Sequence, residues 1–210
     1  MHITNLPAQA APATDMHDRL LQLLKRMNIH LILPLLMLFT LSLSADTVSC
    51  SLLQVEDGDT LVIDLNGTPT RVQLLGIDAP EDIANPKLMG DTGRTGIGAD
   101  LLLELGRLAT SHLRQLISPA TKVNVEGDLK RSDKYGRIPV IVSLPGEEHS
   151  LNAAMVRQGY AITLNAPLIA DGVPAELLQL EEQARREPTG LWKSKPELMQ
   201  AWSGRSASTR

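Results

Sequence analysis

An α+β fold, a small barrel of five short strands with about three helices, is predicted by three features of the sequence. Five apolar runs of strand length are punctuated by Gly, Asn, Asp and Pro. One long run between the third and fourth carries leucines at helical spacing. Two shorter helical stretches follow the last strand.

Val48 to Val55 is the first apolar run, and it ends at the turn sequence Glu56-Asp57-Gly58-Asp59. Thr60 to Leu65 is the second, closed by Asn66-Gly67, a strong hairpin signal. Arg71 to Ile77 is the third, broken by Pro80. Ile83 to Ile97 is polar and contains glycine, which reads as a long loop. Leu101, Leu105, Leu108, Ala109, Leu113, Leu116 and Ile117 then recur at helical spacing until Pro119. Thr121 to Val125 and Ile138 to Leu144 are the last two strands. Ser150 caps a short helix through Val156, with Gly159 as its terminator. Pro174 opens a final helix with Leu177, Leu180 and Ala184 on one face, ending at Pro188 and Gly190. Periodicity alone leaves several α+β folds open, but a five-stranded barrel with a helix after strand three is the OB arrangement.

The ends read differently. Residues 1–26 look like a disordered extension or a start placed upstream of Met16 or Met27. Residues 27–45 contain an apolar run, Ile29 to Leu43, behind Arg19, Lys25 and Arg26. Its small-residue end suits a cleaved signal peptide, with an uncleaved membrane anchor or a buried helix as alternatives. Export is therefore expected, with a globular domain over 46–193 and a flexible tail over 194–210. The single cysteine, Cys50, excludes an intrachain disulfide. It reads as a buried strand residue, since Thr47-Val48-Ser49 is a poor lipid-attachment context.

A net charge of −4 argues against a protein that coats nucleic acid, which needs many phosphate-neutralising side chains. It leaves room for an enzyme that grips one or two phosphates. The polar clusters fall at strand ends: Asp57-Gly58-Asp59-Thr60, Asp78-Ala79-Pro80-Glu81 and Asp133-Lys134-Tyr135-Gly136-Arg137. Singly, each is an ordinary turn. Together, carboxylates at neighbouring strand ends can converge on one hard cation, and oxygen ligands suit calcium or magnesium. The five histidines are scattered, and His112 reads as packing or surface.

The runs DGDT at 57–60, LLGIDAPE at 74–81, DKYGR at 133–137, LNAAMVRQGYA at 151–161 and EEQARREPTGLW at 181–192 resemble the staphylococcal nuclease family, in that family's order. The resemblance implies an OB-fold and a calcium-dependent phosphodiesterase acting on DNA or RNA, expected as a monomer. It implies that Asp59, Asp78 and the Ala79 carbonyl bind Ca2+, with Asp57 orienting them. Glu81 would be the general base, and Arg137 would steady the phosphate. Lys134 and Tyr135 would contact the nucleotide's phosphate and sugar. The last two runs are architectural, with Trp192 a core or seam residue.

Two departures stand out. The family's second phosphate-clamping arginine falls at Gln73, and its base-stacking aromatics fall near Asn165 and Pro167. Arg71 lies two residues before Gln73 on the same strand face, about 6.6 Å along it, and is expected to compensate weakly. A slowed nuclease is the reading. A barrel that binds nucleic acid or protein without cutting is the alternative, and such a module has no need of Asp59, Asp78 and Glu81 together.

Overall fold

The computed structural model describes residues 47–164 and 176–205. Contacts divide the chain into Met1–Ser44 and Ala45–Arg210, and every described residue lies in the second unit. The expected signal or anchor segment lies outside the described residues. Among these, no helix is long and apolar enough to cross a membrane.

Strands β1 (Thr47–Val55), β2 (Thr60–Leu65), β3 (Thr68–Leu74), β5 (Lys122–Glu126) and β6 (Ile138–Ser143) close into a barrel in the order β1-β2-β3-β6-β5. All neighbours are antiparallel except β3 and β6, which run parallel with Gln73 opposite Pro139. This is the predicted OB barrel. The β2–β3 hairpin turns on Asn66 at φ 54° and Gly67 at φ 82°, the left-handed pair that a two-residue turn requires. Alternation sends Leu61, Ile63, Val72 and Leu74 inward, all fully buried. It leaves Thr60, Val62, Arg71 and Gln73 on the outer face. Cys50 is buried on β1, as expected.

The third strand is shifted three residues toward the N-terminus, spanning Thr68–Leu74 where Arg71 to Ile77 was expected. It ends at Leu74, and a two-residue strand β4 (Ile77–Asp78) pairs instead with β7 (Ile162–Thr163). Asn152, wholly buried on α3 (Leu151–Arg157), ties this region together. Its amide donates to the carbonyls of Leu75 and Val140 and accepts from Val142 N–H, so no polar group is left wanting.

Two expectations are corrected. The region Ile83 to Ile97 is not one long loop, because Pro86–Thr95 forms helix α1. Asn85 caps it by accepting Leu88 N–H at 2.9 Å, and Pro86 occupies the first turn. The expected tail from residue 194 contains a helix, α6 (Pro196–Ser203), whose Met199 and Trp202 are buried. Trp202 Nε1 donates to Asp91 Oδ2 at 3.1 Å, and Arg94 donates to the Trp202 carbonyl at 2.8 Å, so α6 clamps α1. Residues 206–210 lie outside the described set.

Helix α2 (Ala99–Leu116) buries Leu102, Leu105, Gly106, Ala109, Thr110 and Leu113. Leu101 and Leu108, expected on the buried stripe, are 45% and 37% exposed. The face is rotated because small residues let the helix approach two loops. A Cβ built on Gly106 would meet the Glu81 carbonyl oxygen at 2.1 Å. One built on Gly58 would meet the Cβ atoms of Ala79 and Ala109 at 2.8 and 3.0 Å. Helices α4 (Glu176–Arg186) and α5 (Gly190–Ser194) complete the fold, with Trp192 5% exposed in the second core cluster beside Leu105 and Met199.

Candidate active site

The turn between β1 and β2 carries the first carboxylates. Asp57 Oδ1 accepts the Asp59 N–H at 2.9 Å, which fixes the turn and aims Asp59 inward. Asp59 is 5% exposed. Its Oδ2 accepts the Ala79 N–H at 3.2 Å, joining this turn to the second one. Its Oδ1 accepts the Thr60 hydroxyl at 2.9 Å. Burial, then the neighbouring Asp57 and Asp78 charges, push the Asp59 carboxyl up to about 8, against the pull of Lys87 and Arg137. Asp78, at the end of β4, is also raised, by burial first, although Lys87 opposes the shift. Two carboxyls so placed call for a nearby cation.

Arg137 reaches this corner from the start of β6. The loop before it is pinned by Asp133, whose Oδ1 accepts the N–H groups of Tyr135 and Arg137 at 2.8 and 2.9 Å. Asp133 Oδ2 takes Arg137 Nε at 3.0 Å, leaving the far end of the guanidinium to face Asp59 and Thr60. Its NH1 donates to Thr60 Oγ1 at 3.0 Å and lies 3.5 Å from Asp59 Oδ1. Burial would raise the Asp133 carboxyl, but these hydrogen bonds outweigh it and hold it below the ordinary range. Lys134 Nζ and the Arg137 guanidinium both lie over the Tyr135 ring, at 4.9 and 5.3 Å from its centroid. Tyr135 itself is 51% exposed, with two cations against its ring.

Glu81 follows the second turn. Asn85 Nδ2 donates to its Oε2 at 2.5 Å, so the residue that caps α1 also orients the carboxylate. Lys87, which the sequence reading passed over, fills the space between the acidic groups. Its Nζ lies 3.0 Å from Asp78 Oδ1, 3.1 Å from the Ala79 carbonyl and 2.5 Å from Glu81 Oε1. Burial pulls the Lys87 ammonium down, but Asp78 and Glu81 outweigh it and hold it above the ordinary lysine range. The signal for Lys87 was present in Asn85-Pro86, a cap followed by a first-turn proline, which places position 87 in the opening turn of a helix.

Arg71 is engaged elsewhere. Its Nε donates to Glu56 Oε2 at 2.7 Å, its NH2 pairs with Glu56 Oε1, and its NH1 donates to the Tyr135 carbonyl at 3.2 Å. Gln73 is half-buried opposite Thr60 in the β2–β3 register. Asn165 and Pro167 lie outside the described residues.

The donors at this corner decide whether a divalent ion would fit. No group of three His, Cys, Asp or Glu side chains is assembled as a ready ligand set among the described residues. The available set is Asp59, Asp78 and the Ala79 carbonyl, all oxygen, and an ammonium already sits on two of the three residues. That chemistry fits a hard cation.

The family described as staphylococcal nuclease homologue matches residues 71–194. The chain is 30% identical over 162 residues to "Protein ParB" of Escherichia coli, covering 74% of this chain and 77% of that protein. It is 29% identical over 163 residues to "Micrococcal nuclease" of Shigella flexneri, covering 74% and 79%. It is 26% identical over 151 residues to "Endonuclease YhcR" of Bacillus subtilis, covering 70% of this chain but 12% of that much longer protein. That family model spans more than half of the chain, and the chain belongs to the staphylococcal nuclease homologue family.

Proposed function

We propose that this protein is a calcium-dependent phosphodiesterase that hydrolyses DNA, RNA or both. The observation that carries the reading is the convergence of two carboxylate turns and Arg137 on one corner of the barrel, with Asp59 bonded to both. Relatives named as nucleases support phosphodiester chemistry at the level of the family.

Asp59, Asp78 and the Ala79 carbonyl would hold calcium, which when bound supplies positive charge to the phosphoryl oxygens. Glu81, oriented by Asn85, would take a proton from the attacking water. Arg137 would turn its NH1 and NH2 edge to the phosphate, a planar donor pair suited to phosphate oxygens. Lys134 and the exposed Tyr135 would seat the nucleotide beside it. Gln73 offers the phosphate an amide but no charge, which points to a slow enzyme.

Digestion of single-stranded DNA and of RNA, with calcium and then with excess chelator, tests this reading. Activity should require calcium and vanish in Asp59→Ala and Asp78→Ala chains that retain their circular dichroism. Cutting that survives the chelator would overturn the metal requirement. No cutting under any condition, with single-stranded DNA still retained, would favour the binding module. For the N-terminal segment we propose export, tested by intact mass of protein recovered outside the cytoplasm, expected to begin near Ala45.

A further inference from the structure

Lys87 uses every donor it has. An ammonium carries three protons, and the three oxygens around Nζ come from Asp78, the Ala79 carbonyl and Glu81. Two of those residues belong to the set assigned above to calcium. A divalent ion bonded to them at about 2.3–2.6 Å would stand within roughly 6 Å of the ammonium. Two cations so close repel strongly in a half-buried corner. Lys87 sits in the first turn of α1, on a long flexible stem, so it can swing out while the helix stays clamped by Trp202.

Resting on the calcium reading above, we propose that Lys87 is the resident cation of the metal seat and that calcium enters by displacing it. In the metal-free protein the lysine neutralises Asp78 and Glu81 and holds the second turn in shape. It thereby weakens calcium binding and sets the concentration at which the site fills. Metal affinity of oxygen sites rises with the net negative charge of the ligands, so deleting this positive charge should strengthen it.

The test is isothermal titration of calcium into the full chain after chelator dialysis, for the parent, Lys87→Met and Lys87→Gln. Both variants should bind calcium on the order of tenfold more tightly. Their metal-free melting temperatures should fall, and saturating calcium should bring them back to the parent's. A second measurement needs no variant to fold. In the ammonium ¹H–¹⁵N spectrum of the parent, the Lys87 signal should be protected without metal and lost to solvent exchange as calcium is added. Variants that bind calcium no more tightly than the parent, or a Lys87 signal that persists at saturating calcium, would overturn the proposal. If neither parent nor variants bind calcium, the metal reading itself fails and this inference falls with it, a result distinct from equal, measurable affinities.

Discussion

Gln73 stands directly opposite Thr60 across the β2–β3 ladder, on the barrel face where Arg137 donates to the Thr60 hydroxyl. Position 73 is therefore a neighbour of the proposed phosphate seat, and a guanidinium there would add the charge that the amide lacks. Gln73→Arg should raise turnover by about tenfold, equivalent to ~1.4 kcal/mol of transition-state stabilisation. Arg71→Ala should leave kcat nearly unchanged in both backgrounds, because its guanidinium is held by Glu56 and the Tyr135 carbonyl. Because Arg71 also holds the Tyr135 carbonyl, KM should rise in both backgrounds. Steady-state kinetics on a short single-stranded DNA measure both, and an unchanged kcat in Gln73→Arg rejects the placement.

Glu81 depends on Asn85 for its aim. Glu81→Gln should cost on the order of 10²-fold or more in kcat, the range general-base help supplies. Asn85→Ala removes both the orienting hydrogen bond and the cap of α1, so it should lower kcat and also cost about 1 kcal/mol of stability. Denaturant melts beside single-turnover rates separate the two effects.

Trp202 anchors the helix that carries Lys87. Trp202→Ala should destabilise the fold by roughly 3–5 kcal/mol, the usual range for emptying a buried aromatic site. Trp202→Phe keeps most of the volume but leaves Asp91 Oδ2 without its donor, at about 1–3 kcal/mol. In both variants the amides of α1 should exchange faster than those of β2, read by hydrogen exchange.

His112 lies flat on Tyr160, with ring centroids 3.8 Å apart and planes within 10°. Burial holds its imidazole below the ordinary 6.5, although a hydrogen bond with Gln158 opposes the shift. As pH falls below 6.5, the unfolded chain takes up a proton that the folded chain refuses, so stability should drop with falling pH. His112→Phe keeps the stack and removes the titration. Melting temperatures from about pH 7 to pH 5 should fall less steeply in this variant than in the parent.

The barrel was legible because its strands alternate and its turns are chemically specific, Asn66-Gly67 above all. The carboxylate turns and Arg137 were legible as residues, yet the hydrogen bond from Ala79 to Asp59 that joins the two turns comes from tertiary structure. Helix α1 was hidden because Gly90 and Gly93 weaken it and its helical residues bury only Leu88, so contacts from Trp202 hold it rather than its own pattern. Helix α6 was passed over although Pro196 and Gly204 bracket it as start and stop signals. In α2 two leucine stripes overlap along the sequence. Gly106 and Ala109 choose between them by letting the helix reach the backbone of Glu81 and the Gly58 turn.

The parallel pairing of β3 with β6 also has a consequence in time. Asp59 and Arg137 are 78 positions apart, and they meet only once β6 has docked beside β3 and closed the barrel. Such long-range pairings come late, since the intervening chain must be gathered first. A chain still emerging carries its carboxylates without the arginine beside them. The cutting chemistry proposed here would thus be withheld until folding finishes, and a cell making this protein would be shielded from it without a separate inhibitor.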